Sequence, residues 1–365
     1  MASYKIFNSL SELLKRAVEE NVFPGAIAGI SYKNNKYIIK EGYKSLIPFL
    51  EPLEETDIFD LASLTKPLGL AFTFMYLLSK DPKINLYSPI GDYLDLKEPL
   101  SEIPVYRFLN HTAGLKAWFP FYKELIKENI PDKLEWIIRK IEKLPLEYTP
   151  GEKCLYSDLD YFLLTYLLER VYQRNLEELF EIAKKVVFFN KKAFLSFKPL
   201  TKGVDQERVV PTSVCPWNRK ILRGIVEDEN TRVLGGVSGV AGLFGNIYGV
   251  LNILEFLLKA YKEKIEKFPQ KLVKEFLDFR EKGSDFSLGF MLQSLNGYSA
   301  TGRVFSKKTV GHLGFTGCSF FMDLERELVV VLLTNRVHPD RNNSKIRDFR
   351  PIFHKAVLEI LELIR

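Results

Sequence analysis

DLASLTKPLG, residues 60–69, places a serine three positions before a lysine and a proline directly after that lysine. If this segment is helical, Ser63 and Lys66 are neighbours on one face, because residues i and i+3 lie close together on a helix. Pro67 is tolerated only in about the first turn of a helix, so we expect Ser63 at the very start. Free N–H groups and the helix dipole favour negative charge there, such as a serine alkoxide or a tetrahedral oxyanion.

Lys66 can act as a base toward Ser63 only when it is neutral, so its pKa must be lowered by burial or by nearby positive charge. The apolar neighbours FDLAS (59–63) and PLGLAFTF (67–74) favour burial. The ordinary alternative is a capping serine beside a lysine whose ammonium reaches solvent along its apolar stem. Taken alone, the spacing favours that alternative, so the choice depends on the rest of the sequence.

The composition indicates a globular protein with more than one lobe. A chain of 365 residues is long for one compact core, and 46% hydrophobic residues with 28 Phe and 17 Tyr can fill a buried interior. The formal net charge of +6 is modest, and positive residues alternate with acids along the chain. This pattern is typical of solvated helix faces, so we expect no nucleic-acid partner.

The cysteines and the N-terminal segment indicate the compartment. Cys154, Cys215 and Cys318 are odd in number and lack metal-type spacing, which fits reduced thiols. MASYKIFNSLSELLKRAVEE (1–20) has no apolar signal core, and no run reaches the roughly 18 apolar residues of a membrane span. We expect a soluble cytoplasmic protein without a membrane span, and nothing in the sequence indicates its oligomeric state.

Strand patterns lie near both ends of the chain, and helix patterns lie between them. AIAGISY (26–32) and KYIIKEGY (36–43) predict early strands, and CSFFMD (318–323) and ELVVVLLTN (327–335) predict late ones. We therefore predict one sheet domain assembled from residues 1–78 and 236–365. A mainly helical domain, residues 79–235, is inserted between the two parts, and the cleft between the lobes is the expected place for a site.

Several motifs follow one another in the order of a known superfamily. ASLTK (62–66) is the only Ser-x-x-Lys element in the chain and resembles that of serine β-lactamases and penicillin-binding proteins. More specifically, the chain is similar to the branch of esterases, D-aminopeptidases and class C β-lactamase-like proteins. The other matching segments are FPGAIAGI (23–30), EGY (41–43), FLNHTAGL (108–115), PGEKCLYSDLDYFLL (150–164), VEDENTRVLGGVSGVAGLFG (226–245) and VGHLGFTGCSFFMDLERELVVVLLTNRVHP (310–339).

The resemblance implies an α/β (α+β) fold of the β-lactamase/transpeptidase type. Its main sheet is mostly antiparallel and flanked by helices, with an inserted all-α lobe. The resemblance also implies that Ser63 is the acylated nucleophile and that Lys66 activates it. Tyr156 matches the tyrosine that takes the serine proton or delivers one to the leaving group.

The last matching segment supplies the opposite wall of the expected site. His312 stands where many relatives have the lysine of Lys-Thr-Gly, and the branch with His-x-Gly includes esterases and peptidases. The resemblance implies that the N–H of Phe315 joins that of Ser63 in an oxyanion hole. A glycine is expected at position 314 because a side chain there would prevent the close approach of substrate to the backbone.

Asp158 departs from the family pattern, which usually has asparagine at this position. The exchange turns an amide that can donate a hydrogen bond into a carboxylate that only accepts. Near Lys66 it would hold that lysine charged and oppose its use as a base. Three consequences stay open: Tyr156 is the main base with Lys66 as electrostatic support, activity is reduced, or the substrate carries a positive group.

Other candidate residues have simpler explanations. His111 in NHTAGL is expected to be structural, in a polar turn that satisfies backbone groups. The glycines of LGGVSGVAGLFG (234–245) do not form Gly-x-Gly-x-x-Gly and are expected to pack against the Ser63 helix. We find no motif for a metal or a cofactor and expect neither.

The sequence therefore predicts a serine hydrolase that cleaves a small-molecule ester or amide through a Ser63 acyl-enzyme. The absence of an export signal favours an esterase, amidase or peptidase over a β-lactamase or a D-Ala-D-Ala peptidase, which work outside the cytoplasm. The alternative from another class is a binding or regulatory protein that kept the scaffold and lost the chemistry, and Asp158 keeps that alternative open.

Overall fold

The computed structural model describes residues 2–33, 35–266, 268–294 and 296–362. Its strands within these ranges are β1 (Gly25–Tyr32), β2 (Asn35–Ser45), β3 (Glu51–Pro52), β4 (Phe59–Asp60), β5 (Leu195–Phe197), β6 (Leu243–Gly245), β7 (Met291–Leu292), β8 (Thr309–Leu313), β9 (Ser319–Asp323) and β10 (Leu328–Thr334). Seven of them form an antiparallel sheet in the order β3-β2-β1-β10-β9-β8-β7, and the other three form a small sheet in the order β4-β6-β5.

The centre of the main sheet joins the two ends of the chain. β1 pairs with β10 in a register that runs from Ala26 opposite Thr334 to Tyr32 opposite Leu328. β1 also pairs with β2, and β10 also pairs with β9. The prediction of one antiparallel sheet assembled from early and late strands is confirmed.

Alternation along the two central strands divides the core into two layers. Side chains of a strand point alternately to opposite faces. Ala28 and Val330 belong to a cluster that includes residues of the N-terminal and C-terminal helices, whereas Ile27 and Val331 belong to the larger cluster that continues into the helical part. The sheet is therefore covered by helices on both faces, which explains why β10 is buried along its whole length.

The helices within the described ranges are α1 (Ala2–Glu19), α2 (Phe72–Lys80), α3 (Val105–Leu109), α4 (Tyr122–Leu125), α5 (Lys133–Ile141), α6 (Asp158–Tyr172), α7 (Leu176–Ala183), α8 (Glu229–Val233), α9 (Ile247–Lys262), α10 (Gln270–Asp278) and α11 (Ile346–Ile360). α1 and α11 cover one face of the sheet, and α9 packs on β1 and β10 from the other. The division into residues 1–78 with 236–365 and an inserted domain of residues 79–235 stays a prediction.

Among the described residues, no helix is both long enough and apolar enough to cross a membrane.

Candidate active site

Ser63 lies where a short strand of the small sheet turns into a helix. After β4 the chain makes one 3₁₀ turn, Ala62–Leu64, continues as a π-helical segment, Lys66–Ala71, and then becomes α2. Ser63 is thus at the start of a helix, as predicted, although the first turns are 3₁₀ and π rather than α. Pro67 has no N–H to donate to the Ser63 carbonyl, which is one reason why regular α-helix does not begin here.

The turn before Ser63 is held by a buried carboxyl group. Ala62 has a φ of 47°, in the left-handed region that side-chain-bearing residues rarely adopt. Its N–H donates to one oxygen of Asp60 (2.8 Å), and the other oxygen accepts the N–H of Glu227 (2.7 Å). Burial raises the pKa of Asp60 to about 7, although these two hydrogen bonds act against the rise. Asp60 thereby fixes the strained residue that precedes Ser63.

Lys66 is fully buried behind Ser63. Its Nζ donates to Oδ1 of Asp158 (2.7 Å), to the carbonyl of Val240 (3.2 Å) and, at a longer distance, to Oγ of Ser63 (3.5 Å). The alternative of a lysine whose ammonium reaches solvent is therefore wrong. Burial by itself lowers the pKa of Lys66, but the charges of Asp158 and Tyr156 outweigh it and raise the pKa above the ordinary value. Lys66 is an ammonium at neutral pH.

Tyr156 and Asp158 are positioned by the N-terminus of α6. Ser157 caps this helix, and its Oγ accepts the N–H groups of Leu159 (3.1 Å) and Asp160 (3.3 Å). Asp158 is the first helical residue, so its negative carboxylate is stabilised by the positive end of the helix dipole. The Tyr156 ring lies 4.9 Å from the Lys66 ammonium, and its hydroxyl has no hydrogen-bond partner within the described residues. Burial raises the pKa of Tyr156, and the Lys66 charge opposes this only in part.

β8 and the residues after it form the wall that faces Ser63. The Nδ1 of His312 lies 2.9 Å from the Leu313 carbonyl and donates to it, so Nε2 is an acceptor, and that atom is buried and unpartnered among the described atoms. Burial, followed by the Lys66 charge, lowers the pKa of His312 to about 3, so the ring is neutral. A Cβ on Gly314 would lie 2.8 Å from the Leu61 carbonyl, which explains the glycine.

A cavity of about 920 Å³ opens over this group of residues. Six of the seven predicted site residues line it, and the seventh, Lys66, lies directly behind the wall. The six lining residues are Ser63, Tyr156, Asp158, His312, Gly314 and Phe315. Segments separated by up to about 250 positions in the sequence thus meet at one cavity.

The cavity also has charged residues that the sequence reading missed. Glu227, Asp228 and Glu229 form an acidic wall, and Asp228 caps α8 through the N–H of Thr231 (2.6 Å). Burial and the nearby Asp158 raise the pKa of Asp228 to about 6. The run of three acids in VEDENT (226–231) was the available signal, because a carboxylate three residues before a threonine N–H is a common helix start.

Four arginines also line the cavity, and one of them, Arg341, pairs with Glu227 and Glu229 of the acidic wall. The other three, Arg336, Arg347 and Arg350, have no carboxylate within 4.0 Å among the residues that the structure describes, and Arg350 is 6% exposed. No sequence pattern predicts this group, because Arg347 and Arg350 lie on α11 and Arg336 follows β10.

One glycine of the predicted packing segment contacts the Ser63 helix. A Cβ on Gly239 would lie 2.1 Å from Cδ1 of Leu70, in the π-helical segment after Ser63. Gly236 and Gly242 instead have φ values of 87° and 109°, so they serve the backbone conformation of the loop. Over the described residues, no group of His, Cys, Asp and Glu side chains is arranged to hold a metal ion.

Comparison with known proteins identifies the family of the chain. A family model described as Beta-lactamase matches residues 10–351, nearly the whole chain. The chain belongs to the β-lactamase family. A relative from Salmonella agona (strain SL483), provisionally named a D-alanyl-D-alanine carboxypeptidase, is 28% identical over 316 residues, which are 79% of this chain and 72% of that protein. The chain is therefore a β-lactamase-family hydrolase.

Solved structures of the superfamily share the fold. EstCE1, described as a hydrolase with promiscuous acyltransferase activity, superposes with a TM-score of 0.74 at 19% identity, over 96% of this chain and 99% of that chain. The D-amino acid amidase from Ochrobactrum anthropi SV3 superposes with a TM-score of 0.70 at 17% identity, over 98% of both chains. At these identities the likeness shows the fold alone, and it confirms the predicted β-lactamase/transpeptidase type.

Proposed function

We propose that the protein hydrolyses a small-molecule ester or amide through an acyl-enzyme on Ser63. The observation that carries this proposal is the cluster at the cavity floor, where the Lys66 ammonium lies 3.5 Å from Ser63 Oγ and 4.9 Å from the Tyr156 ring. A serine beside a buried cation and a buried phenol is the arrangement of an activated nucleophile. Ser63 is not a helix-capping serine, because the N-cap residue of its 3₁₀ turn is Leu61.

Tyr156 is the base in this proposal, with Lys66 as electrostatic support. Asp158 keeps the proton on Lys66, so a neutral lysine is not available at neutral pH. The reactive fraction carries Tyr156 as a phenolate beside the Lys66 ammonium. The phenolate takes the Oγ proton of Ser63 while Oγ bonds to the substrate carbonyl carbon, and the carbonyl electrons move onto oxygen.

The oxyanion is held by the N–H groups of Ser63 and Phe315. Ser63 is in the first turn of a helix, where N–H groups lack an intrahelical acceptor. Phe315 follows Gly314, and the N–H of Gly314 itself donates to the Cys318 carbonyl (2.7 Å). When the oxyanion collapses, the bond to the leaving group breaks, and that group takes the proton from Tyr156. Water then releases the acyl group by the reverse steps.

A second candidate is cleavage of a peptide with a free carboxylate, as in a D-alanyl-D-alanine carboxypeptidase. The provisional name of the Salmonella agona relative suggests it, and the three arginines that lack a carboxylate partner among the described residues offer a place for such a group. The names of EstCE1 and the D-amino acid amidase instead suggest esters and amides. Cytoplasmic localisation stays a prediction from the sequence.

The test is the initial rate of p-nitrophenyl butyrate hydrolysis by the protein beside Ser63→Ala, with fluorophosphonate labelling of both. Turnover and labelling that are both lost in Ser63→Ala would support the proposal. Equal background rates and no labelling would favour the non-catalytic binding protein. Release of D-alanine from a D-alanyl-D-alanine peptide without ester turnover would favour the carboxypeptidase.

A further inference from the structure

His111 lies underneath Tyr156, outside the cluster that contacts the substrate. Its imidazole centroid is 4.7 Å from the Tyr156 ring centroid and 4.7 Å from that of Phe286, and the side chain is fully buried. Cavity-lining residues do not include His111. His111 therefore reaches the cavity only through neighbours such as Tyr156 and Phe286, which line it.

Both chain neighbours of Tyr156 are hydrogen-bonded to His111. The N–H of Leu155 donates to the His111 carbonyl (3.0 Å), and the N–H of Ser157 donates to Nδ1 of its ring (3.2 Å). The Tyr148 hydroxyl donates to the same carbonyl (3.1 Å). His111 has a φ of 60°, a backbone conformation that is costly for a residue with a side chain and that directs its groups toward this loop.

The hydrogen bonds of the ring assign the proton between His111 and Asp160. Nδ1 lies 3.0 Å from Oδ2 of Asp160. Since Nδ1 accepts the Ser157 N–H, it carries no hydrogen of its own, so the hydrogen between Nδ1 and Oδ2 belongs to the Asp160 carboxyl group, and the two donors share the single lone pair of Nδ1. Both side chains are at most 1% exposed.

The surroundings agree with a neutral pair. Burial, followed by the charge of Asp158, raises the pKa of Asp160 well above the ordinary value. Burial, followed by the charge of Lys66, lowers the pKa of His111 well below the ordinary value. Within the described residues, Oδ1 of Asp160 and Nε2 of His111 have no hydrogen-bond partner, so separate charges on the two groups would be poorly solvated.

We propose that the neutral pair His111–Asp160 positions Tyr156: the Asp160 carboxyl group donates to Nδ1 and fixes His111, whose carbonyl then holds Leu155 and whose ring holds Ser157. The pair is not an imidazolium–carboxylate relay, because Asp160 works as a hydrogen-bond donor and His111 stays uncharged. This inference rests on the proposed role of Tyr156 as the base for Ser63.

Asp160→Asn distinguishes the two protonation states. Asparagine offers an N–H donor in the place of the carboxyl O–H and cannot ionise. It should therefore keep kcat for p-nitrophenyl butyrate, within about threefold, whereas Asp160→Ala should lose on the order of 10²-fold in kcat with little change in KM. Asp278→Asn, which alters a carboxylate bonded by the Tyr261 hydroxyl, is the matched control and should change neither constant.

An infrared difference spectrum tests the pair without turnover. At about pH 8 the acids Asp60 and Asp228 are mostly ionised, since their pKa values are about 7 and about 6. Wild type minus Asp160→Asn should then show the carbonyl band of a protonated carboxyl group, and wild type minus Asp278→Asn should not. This readout remains valid if Ser63→Ala shows that the proposed hydrolysis is wrong.

Three outcomes would overturn the inference. A loss of kcat in Asp160→Asn as large as in Asp160→Ala would mean that a carboxylate charge is needed. An Asp160→Ala protein that folds and keeps wild-type kcat would mean that the pair positions nothing. Absence of the carboxyl band would show an ionised Asp160, even where Asp160→Ala fails to fold.

Discussion

Replacing Asp158 by asparagine should release the constraint on Lys66. The carboxylate Oδ1 lies 2.7 Å from Nζ, Lys66 is fully buried, and the Asp158 side chain is 18% exposed. Two unit charges at this distance attract by about 6 kcal/mol at an effective dielectric constant of about 20. Partial exposure of Asp158 reduces this to roughly 3 kcal/mol, which makes loss of a proton from the Lys66–Tyr156 pair about 10²-fold easier.

The assay is kcat/KM for p-nitrophenyl butyrate between about pH 6 and about pH 10, where the rising limb of the profile reports the deprotonation of the base. In the wild type this limb should lie on the alkaline side, because Lys66 is charged and burial raises the pKa of Tyr156. In Asp158→Asn the limb should move down by about two pH units, and kcat/KM near pH 7 should increase by about tenfold to a hundredfold.

Glu229→Gln is the matched control, because it removes one carboxylate from the same cavity wall without a bond to Lys66. The rising limb of its pH profile should coincide with that of the wild type. If the limb of Asp158→Asn also stays in place, the argument that Asp158 restrains the base is refuted. A loss of activity confined to substrates with a free amine would instead show that Asp158 binds a positive group of the substrate.

Four further outcomes are expected. Tyr156→Phe should fold normally and lose about 10² to 10⁴ in kcat, since it removes the proposed proton acceptor; circular dichroism and steady-state kinetics check both parts. Gly314→Ala should lower the free energy of unfolding by about 1–3 kcal/mol and reduce kcat, because its Cβ would lie 2.8 Å from the Leu61 carbonyl; denaturant titration and kinetics would contradict this if both values were unchanged. Ala62→Gly should raise the free energy of unfolding by about 1 kcal/mol by relieving the left-handed conformation, while kcat falls because the turn before the nucleophile is looser; equal stability in urea would argue against strain at this position. Burial lowers the pKa of His354 to about 4, so the folded state favours the neutral ring. As the pH falls from about 6.5 toward 4, the unfolded state takes up a proton that the folded state does not, so the free energy of unfolding decreases by about 3 kcal/mol in total. Urea titrations at several pH values in this range should show that the free energy of unfolding depends less on pH in His354→Gln than in the wild type.

The sequence predicted the elements of the fold that depend on local patterns. The strand patterns AIAGISY (26–32) and ELVVVLLTN (327–335) located β1 and β10, and the resemblance added that helices flank the sheet. Pro67 located the start of the Ser63 helix. The resemblance added the residues of the opposite wall, His312 to Phe315, which no local pattern connects to Ser63.

Several features of the site could not be predicted because they depend on distances between remote segments. The 2.7 Å contact between Lys66 and Asp158 exists only once α6 packs beside the Ser63 turn. The apolar neighbours of Lys66 favoured its burial, but that burial is complete only in this packing. The arginines of α11 reach the cavity because that helix packs on the sheet next to β1 and β10, and a helical pattern alone does not show which face meets a cavity.

The pairing of β1 with β10 has a consequence for biosynthesis. Residues 25–32 leave the ribosome about 300 positions before the residues that complete their sheet, so a nascent chain holds Ser63 for most of its synthesis without the strands beside it. Contacts of such long sequence separation close late and slowly. The Leu61 carbonyl meets Gly314 only after β8 is made, so Ser63, the proposed nucleophile, is expected to be unreactive on the growing chain until that strand has packed beside it.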